Sequence, residues 1–132
     1  MSTSDRVFFR ISGSHLNVGT SEETTLQLPT PGGGPGIWLL KAFHYVITGG
    51  SYNNWQPRVG QAAGFTSGGI DERLQYDSMA KADGETSVND VYATDNPVKT
   101  DANGRLYFRP GFDGGSDNDG DYEFFFEYVR GG

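Results

Sequence analysis

The chain has 132 residues and a mass of 14.4 kDa, enough for one domain with a core and short for two. Its formal charge of -7, from 17 acids against 10 bases, argues against a partner held through nucleic-acid phosphates. With no cysteine there is no disulfide framework, no thiolate metal site and no cysteine nucleophile.

Acid is unevenly placed. Fourteen of the 17 acids but only six of the 10 bases lie from Ser67 onward, which reads as a solvated acidic surface. The opening MSTSDRVFF lacks the basic and apolar regions of a secretory signal, and residues 1–5 read as a flexible lead. The longest apolar run, IWLLKAFHYVI, is broken by Lys41 and His44 and is too short to cross a bilayer. No membrane partner is predicted.

Alternation, the period of a strand, dominates the chain. RVFFRIS predicts a first strand, and TTLQLP (Thr24–Pro29) a second with Leu26 and Leu28 on one face. PTPGGGPG lacks the lysine and hydroxyl ending of a phosphate loop and reads as a connection. Ile37–Thr48 follows, apolar on both faces: Trp38, Leu40, Ala42, His44 and Val46 against Ile37, Leu39, Lys41, Phe43, Tyr45 and Ile47. Such a strand is expected at the centre of a sheet covered on each side, the second cover coming from a neighbouring subunit. Ile37, Leu39, Phe43 and Tyr45 are therefore candidate interface residues.

GGSYNNWQP reads as a loop and RVGQAAGFT as a strand, while IDERLQYDSMAKA fits either a strand or a short helical turn. Residues 83–103 are polar, carry the turn signals TDNP and DANG, and are expected to form a long irregular excursion. GRLYFRP then alternates, as does DYEFFFEYVR beyond the loop GFDGGSDNDG. In that last strand Tyr122, Phe124, Phe126 and Tyr128 share a core face, and Phe125 and Val129 lie among glutamates on the other; both join the interface candidates. Short strands joined by glycine-rich turns (20 glycines in all) predict a single all-β domain, an antiparallel β-sandwich or jelly roll.

The chemistry tests are mostly negative. Aligning Gly120 with the sixth position of an EF-hand loop puts Asp117 and Asp119 correctly but leaves Gly115 and Phe126 at the two anchors. A calcium site of another kind, through Asp113, Asp117, Asp119 and Asp121, is the alternative to a plain hairpin loop. Glu123 and Glu127 share a face at a spacing of about 13 Å, too far apart for a glycosidase pair. His15, in SGSH, reads as a polar turn residue, and His44 as a core or interface residue. No enzyme and no cofactor are predicted. Trp55 with Tyr52, Asn53 and Asn54 supplies an aromatic platform for a sugar, or else Trp55 packs away, as the plug at one end of a sandwich or in a subunit contact.

The order of segments resembles that of short structural proteins from tailed-phage virions: TTLQLP, IWLLKAFHYVIT, RVGQAAGF, IDERLQY, GRLYFRP and FFFEYVRG, spanning Thr24 to Arg130. The resemblance implies a β-sandwich made in the host cytoplasm and carried on the capsid surface. It implies a decoration (cement) protein, a homotrimer with the major capsid protein as partner. The aspartate-rich loop and the 83–103 excursion depart from that pattern. A carbohydrate-binding, receptor-binding module of a virion appendage, built on Tyr52, Asn54 and Trp55, is the alternative reading.

Overall fold

The computed structural model describes residues 6–91 and 97–132; the lead at 1–5 and residues 92–96 of the excursion lie outside the described residues. Among the described residues eleven strands build an all-β antiparallel sandwich, with a single 3-10 turn at Lys81–Asp83. They are β1 (Phe8–Val18), β2 (Thr24–Gln27), β3 (Gly36–Gly49), β4 (Asn54–Trp55), β5 (Arg58–Gly60) and β6 (Glu72–Gln75). After these come β7 (Met79–Ala80), β8 (Ser87–Val91), β9 (Val98–Lys99), β10 (Arg105–Arg109) and β11 (Asn118–Gly131). The larger sheet runs β1-β11-β3-β8, with β9 also on β3; the smaller runs β2-β10-β5-β6; β4 and β7 form a separate pair.

At this level one expectation is corrected and one open alternative resolves into both of its forms. Residues 83–103 are not simply irregular: Ser87–Val91 pairs with Ala42–Val46, and Val98–Lys99 with Ile37–Trp38. IDERLQYDSMAKA contains strands β6 and β7, with the helical turn only at its end.

The doubly apolar β3 has a different cause from the one its pattern suggested. Against β11, Phe126 pairs with Leu40 and Phe125 with Ala42, leaving Lys41 as an extra residue. This β-bulge shifts the alternation by one. Trp38 and Leu40 point inward before it, Phe43 and Tyr45 after it, and all four are buried. Both parities of one strand thus feed a single core. Phe43 and Tyr45 are consequently core residues and not interface residues.

The core is aromatic because β11 and β3 present rings toward a ring from the smaller sheet. Phe108 of β10 inserts among Phe43, Tyr45, Tyr122 and Phe124, with centroids 5.5, 5.7, 5.8 and 5.0 Å away. These are distances at which edge-to-face and offset contacts add to the burial itself. At one end Trp55, Tyr52 and Phe112 close the sandwich, Trp55 bridging to Phe112.

His15 lies in β1, buried, and not in a turn. Its Nδ1 stands 2.9 Å from the Tyr45 hydroxyl and its Nε2 2.5 Å from Thr24 Oγ1, joining the larger sheet to β2 of the smaller one. Two glycines make room for this network. A Cβ on Gly13 would fall against the Tyr122 hydroxyl, and one on Gly120 against that of Tyr45, so neither tyrosine could lie where it does beside a larger residue. At the opposite edge the Tyr76 hydroxyl donates to Asp90 at 2.7 Å. Each long side of the sandwich is thus stitched by side-chain bonds, the second side also by Gln61, whose Oε1 accepts the Lys99 N–H at 2.7 Å.

Burial pushes the His15 pKa below its ordinary value of 6.5. Protonation leaves both ring nitrogens with oxygen acceptors, so the cost is that of a buried charge and not of a broken bond. The unfolded chain takes up this proton near pH 6.5 and the folded chain only at lower pH. The stability is therefore complete above 6.5 and is lost as pH falls through the folded value. The melting temperature is expected to drop between pH 7 and pH 5, before carboxylates titrate near about 4, and the drop is expected to vanish in His15→Gln. An unchanged slope in that variant would refute the assignment.

Candidate interaction surface on the larger sheet

The outward face of the larger sheet is set by cross-strand register. One row runs Phe8, Glu127, Leu39; the next Arg10, Phe125, Ala42, Val91; a third Ser12, Glu123, His44, Asn89. Phe8, Phe125, Val129 and Val91 are 43%, 37%, 48% and 82% exposed, a cluster of apolar side chains on one surface. The Phe8 and Phe125 rings stack at 5.5 Å, and the Arg6 guanidinium sits 4.9 Å over Phe8. Ala42, His44, Val91, Glu123 and Phe125 line a shallow depression of about 160 Å³ beside them.

Charge on this face is locally matched. Arg6 grips Glu127 through two hydrogen bonds of 2.5 and 2.7 Å, Lys41 lies 3.7 Å from the same carboxylate, and Arg10 bonds Glu123 at 2.6 Å. The Arg6 and Arg10 guanidinium bonds hold the Glu127 and Glu123 carboxyls below the usual range. With Asp121, which accepts from the Ser14 hydroxyl, three cations offset three anions. The remaining seven bases and 14 acids carry the whole -7.

Of the sequence candidates, Phe125 and Val129 are exposed on or beside this face, while Ile37 and Leu39 are half-buried on it. His44 is exposed rather than enclosed. Phe8, Arg10, Lys41 and Val91 belong to the surface but went unmarked. The alternation of RVFFRIS already placed Phe8 and Arg10 on one face; nothing local marked Val91.

The other candidates do not assemble. Trp55 is fully buried and its indole N–H donates to the Glu85 carbonyl at 2.7 Å. Tyr52 is buried beneath the Lys81 ammonium, 5.3 Å from the ring centre. Asn54 spends its amide on Asp113. Neither the Tyr52 nor the Trp55 ring offers a face to a sugar, and the three residues do not form the expected platform.

The four aspartates serve separate partners. Asp113 accepts from the Asn53 and Asn54 backbone, Asp117 from the Ser51 hydroxyl, Asp119 from the Asn17 backbone and Asp121 from Ser14. The Asn54 bonds lower the Asp113 pKa, and the Ser51 bond that of Asp117. Among the described residues no three His, Cys, Asp or Glu side chains converge as metal ligands would.

No family model matches the chain, and no curated protein does. Among solved structures it is similar to a chain described as "nora virus structure", at a TM-score of 0.40 and 6% identity, covering 99% of this chain and 63% of that one. The chain thus spans less than two thirds of that protein's length, and a likeness of this size carries no argument about function.

Proposed function

We propose that the protein is a structural component of a virus particle and, within that class, a decoration protein seated on the outside of a tailed-phage head, its partner the major capsid protein. The observation that carries this reading is the outer face of the larger sheet. Apolar, ring-bearing and charge-matched within a strongly acidic chain, it can be desolvated against a protein shell without burying unpaired charge. The segment order from Thr24 to Arg130 supports the finer assignment. Acid elsewhere repels copies that approach through those surfaces. The role is one of binding and asks for no catalytic group.

The test is cosedimentation with heads assembled without the protein. Wild type is expected to pellet with them, and Phe125→Asp, which sets a third carboxylate between Glu123 and Glu127, is expected to weaken binding ~10-fold or more while melting within a few degrees of wild type. Wild type remaining in the supernatant, or Phe125→Asp binding as well as wild type, would end this reading.

A further inference from the structure

We propose that a second copy of this chain adds to the open edge of β1, the two β1 strands pairing antiparallel about a two-fold axis so that two larger sheets become one.

The main chain supplies the first observation. The Tyr128 N–H donates to the Val7 carbonyl at 2.8 Å, which fixes the phase of the β1–β11 ladder. In an antiparallel pair, alternate residues exchange both hydrogen bonds with the partner. Phe9, Ile11, Gly13 and His15 therefore face β11, while the N–H and C=O groups of Phe8, Arg10, Ser12 and Ser14 point away from it. Among the described residues no other strand pairs with that edge.

Edge length supplies the second. The other sheet edges are short: β2 and β6 have four residues each and β8 has five, whereas β1 has 11. β1 holds neither proline nor lysine, its one outward cation is held by Glu123, and its irregularity comes only past His15, where Asn17 adopts a positive φ of 53°. Long, straight edges of this kind are what soluble proteins otherwise blunt.

Charge selects the occupant. A -7 chain repels its copies wherever its excess acid faces them, but the strip beside β1 is balanced, so two copies can meet there. Antiparallel pairing is self-complementary, which is what a two-fold contact requires. Registers centred near Ile11 or Ser12 set Arg10 opposite Ser12 or Ser14 of the second copy, with no like charges opposed. The small side chains of Ser12, Gly13 and Ser14 leave the approach unobstructed.

Sedimentation equilibrium is expected to give twice the monomer mass of 14.4 kDa, where the segment-order resemblance implies three times. Amide exchange at Phe8, Arg10, Ser12 and Ser14 should slow as concentration rises. Because the chain has no cysteine, single cysteines at Ser12 and Ser14 report the register: one placed near the axis cross-links into a disulfide dimer under oxidant. Ser12→Pro removes an outward donor without touching the β11 ladder, and symmetry removes it twice, so the dimer should dissociate ~10-fold more readily. Ser12→Lys should do the same if proline unfolds the strand. A monomer at millimolar concentration, a trimer, or a dimer indifferent to both substitutions would overturn the proposal. A chain that dimerises yet ignores capsids defeats only the decoration reading, and a monomer that binds capsids defeats only this one.

Discussion

Deleting Lys41 is expected to leave no cooperatively folded protein, whereas Lys41→Ala is expected to cost about 1 kcal/mol or less. The alanine variant loses an ion pair of 3.7 Å but keeps the extra residue of the bulge. The deletion removes the residue that lets Trp38 and Leu40 face inward on one side of the bulge and Phe43 and Tyr45 on the other. With regular alternation restored, one of those pairs must turn outward. Losing two large buried side chains from the core costs on the order of 6–10 kcal/mol at the usual price for truncating such residues, against a total stability of about 5–15 kcal/mol for a typical domain. Where Phe43 and Tyr45 are the pair displaced, the Phe108 ring also loses two of the aromatic neighbours it packs among. Circular dichroism and proton chemical-shift dispersion decide the matter: a deletion variant that melts cooperatively near wild type would show that the bulge does not direct the core.

The same bulge marks the limit of what could be read in advance. Where alternation runs unbroken the pattern sufficed, as in Arg105–Arg109 and in the Tyr122, Phe124, Phe126, Tyr128 face, whose Phe124 and Phe126 are fully buried. At Lys41 no glycine or proline announces the extra residue, and two apolar parities in succession look the same in sequence as two apolar faces at once. β8 and β9 were hidden because strands at the margin of a sheet need few apolar residues; their pairing with β3 is a long-range fact. SGSH looked like a turn because serine and glycine favour turns, yet its glycine is there to let Tyr122 lie close. Trp55 was open to two readings, and the choice fell to Phe112, 57 residues away, which bridges to it. The outer face was half visible: Phe125 and Val129 could be seen among glutamates, but the cations that neutralise those glutamates come from β1, β3 and the residues before β1.

The buried anchor of the acidic loop is an asparagine, and Asn118→Asp is expected to show this by destabilising the protein by about 3–5 kcal/mol at neutral pH, the usual cost of a buried charge left without a partner. Asn118 is fully buried; its Oδ1 accepts the Tyr52 N–H at 3.2 Å and its Nδ2 donates to the Gly114 carbonyl at 2.9 Å. An aspartate has the same shape, keeps the first bond and turns the second into a contact between two oxygens. It also brings a charge into a buried position between Asp117 and Asp119, where among the described residues the side-chain bonds of Asn118 go to the Tyr52 and Gly114 backbone and to no cation. Its pKa must rise, so the folded variant binds a proton that the unfolded chain has already released, and stability recovers as pH falls toward the folded value. Asp117→Asn and Asp119→Asn, each removing one exposed acceptor, are expected to cost about 1 kcal/mol or less. Urea titrations of the three variants at pH 5 and 7 separate the cases. Equal losses in all three, or a loss in Asn118→Asp that does not ease with acid, would mean that the buried amide is not what holds the loop. A rise in wild-type melting temperature on adding calcium, abolished by Asp117→Asn, would return the loop to the class of cation sites. The divergent partners of its four aspartates give no reason to expect that rise, because a hard cation needs several oxygens aimed at one point and these go to separate residues: Asn53 and Asn54, Ser51, Asn17 and Ser14.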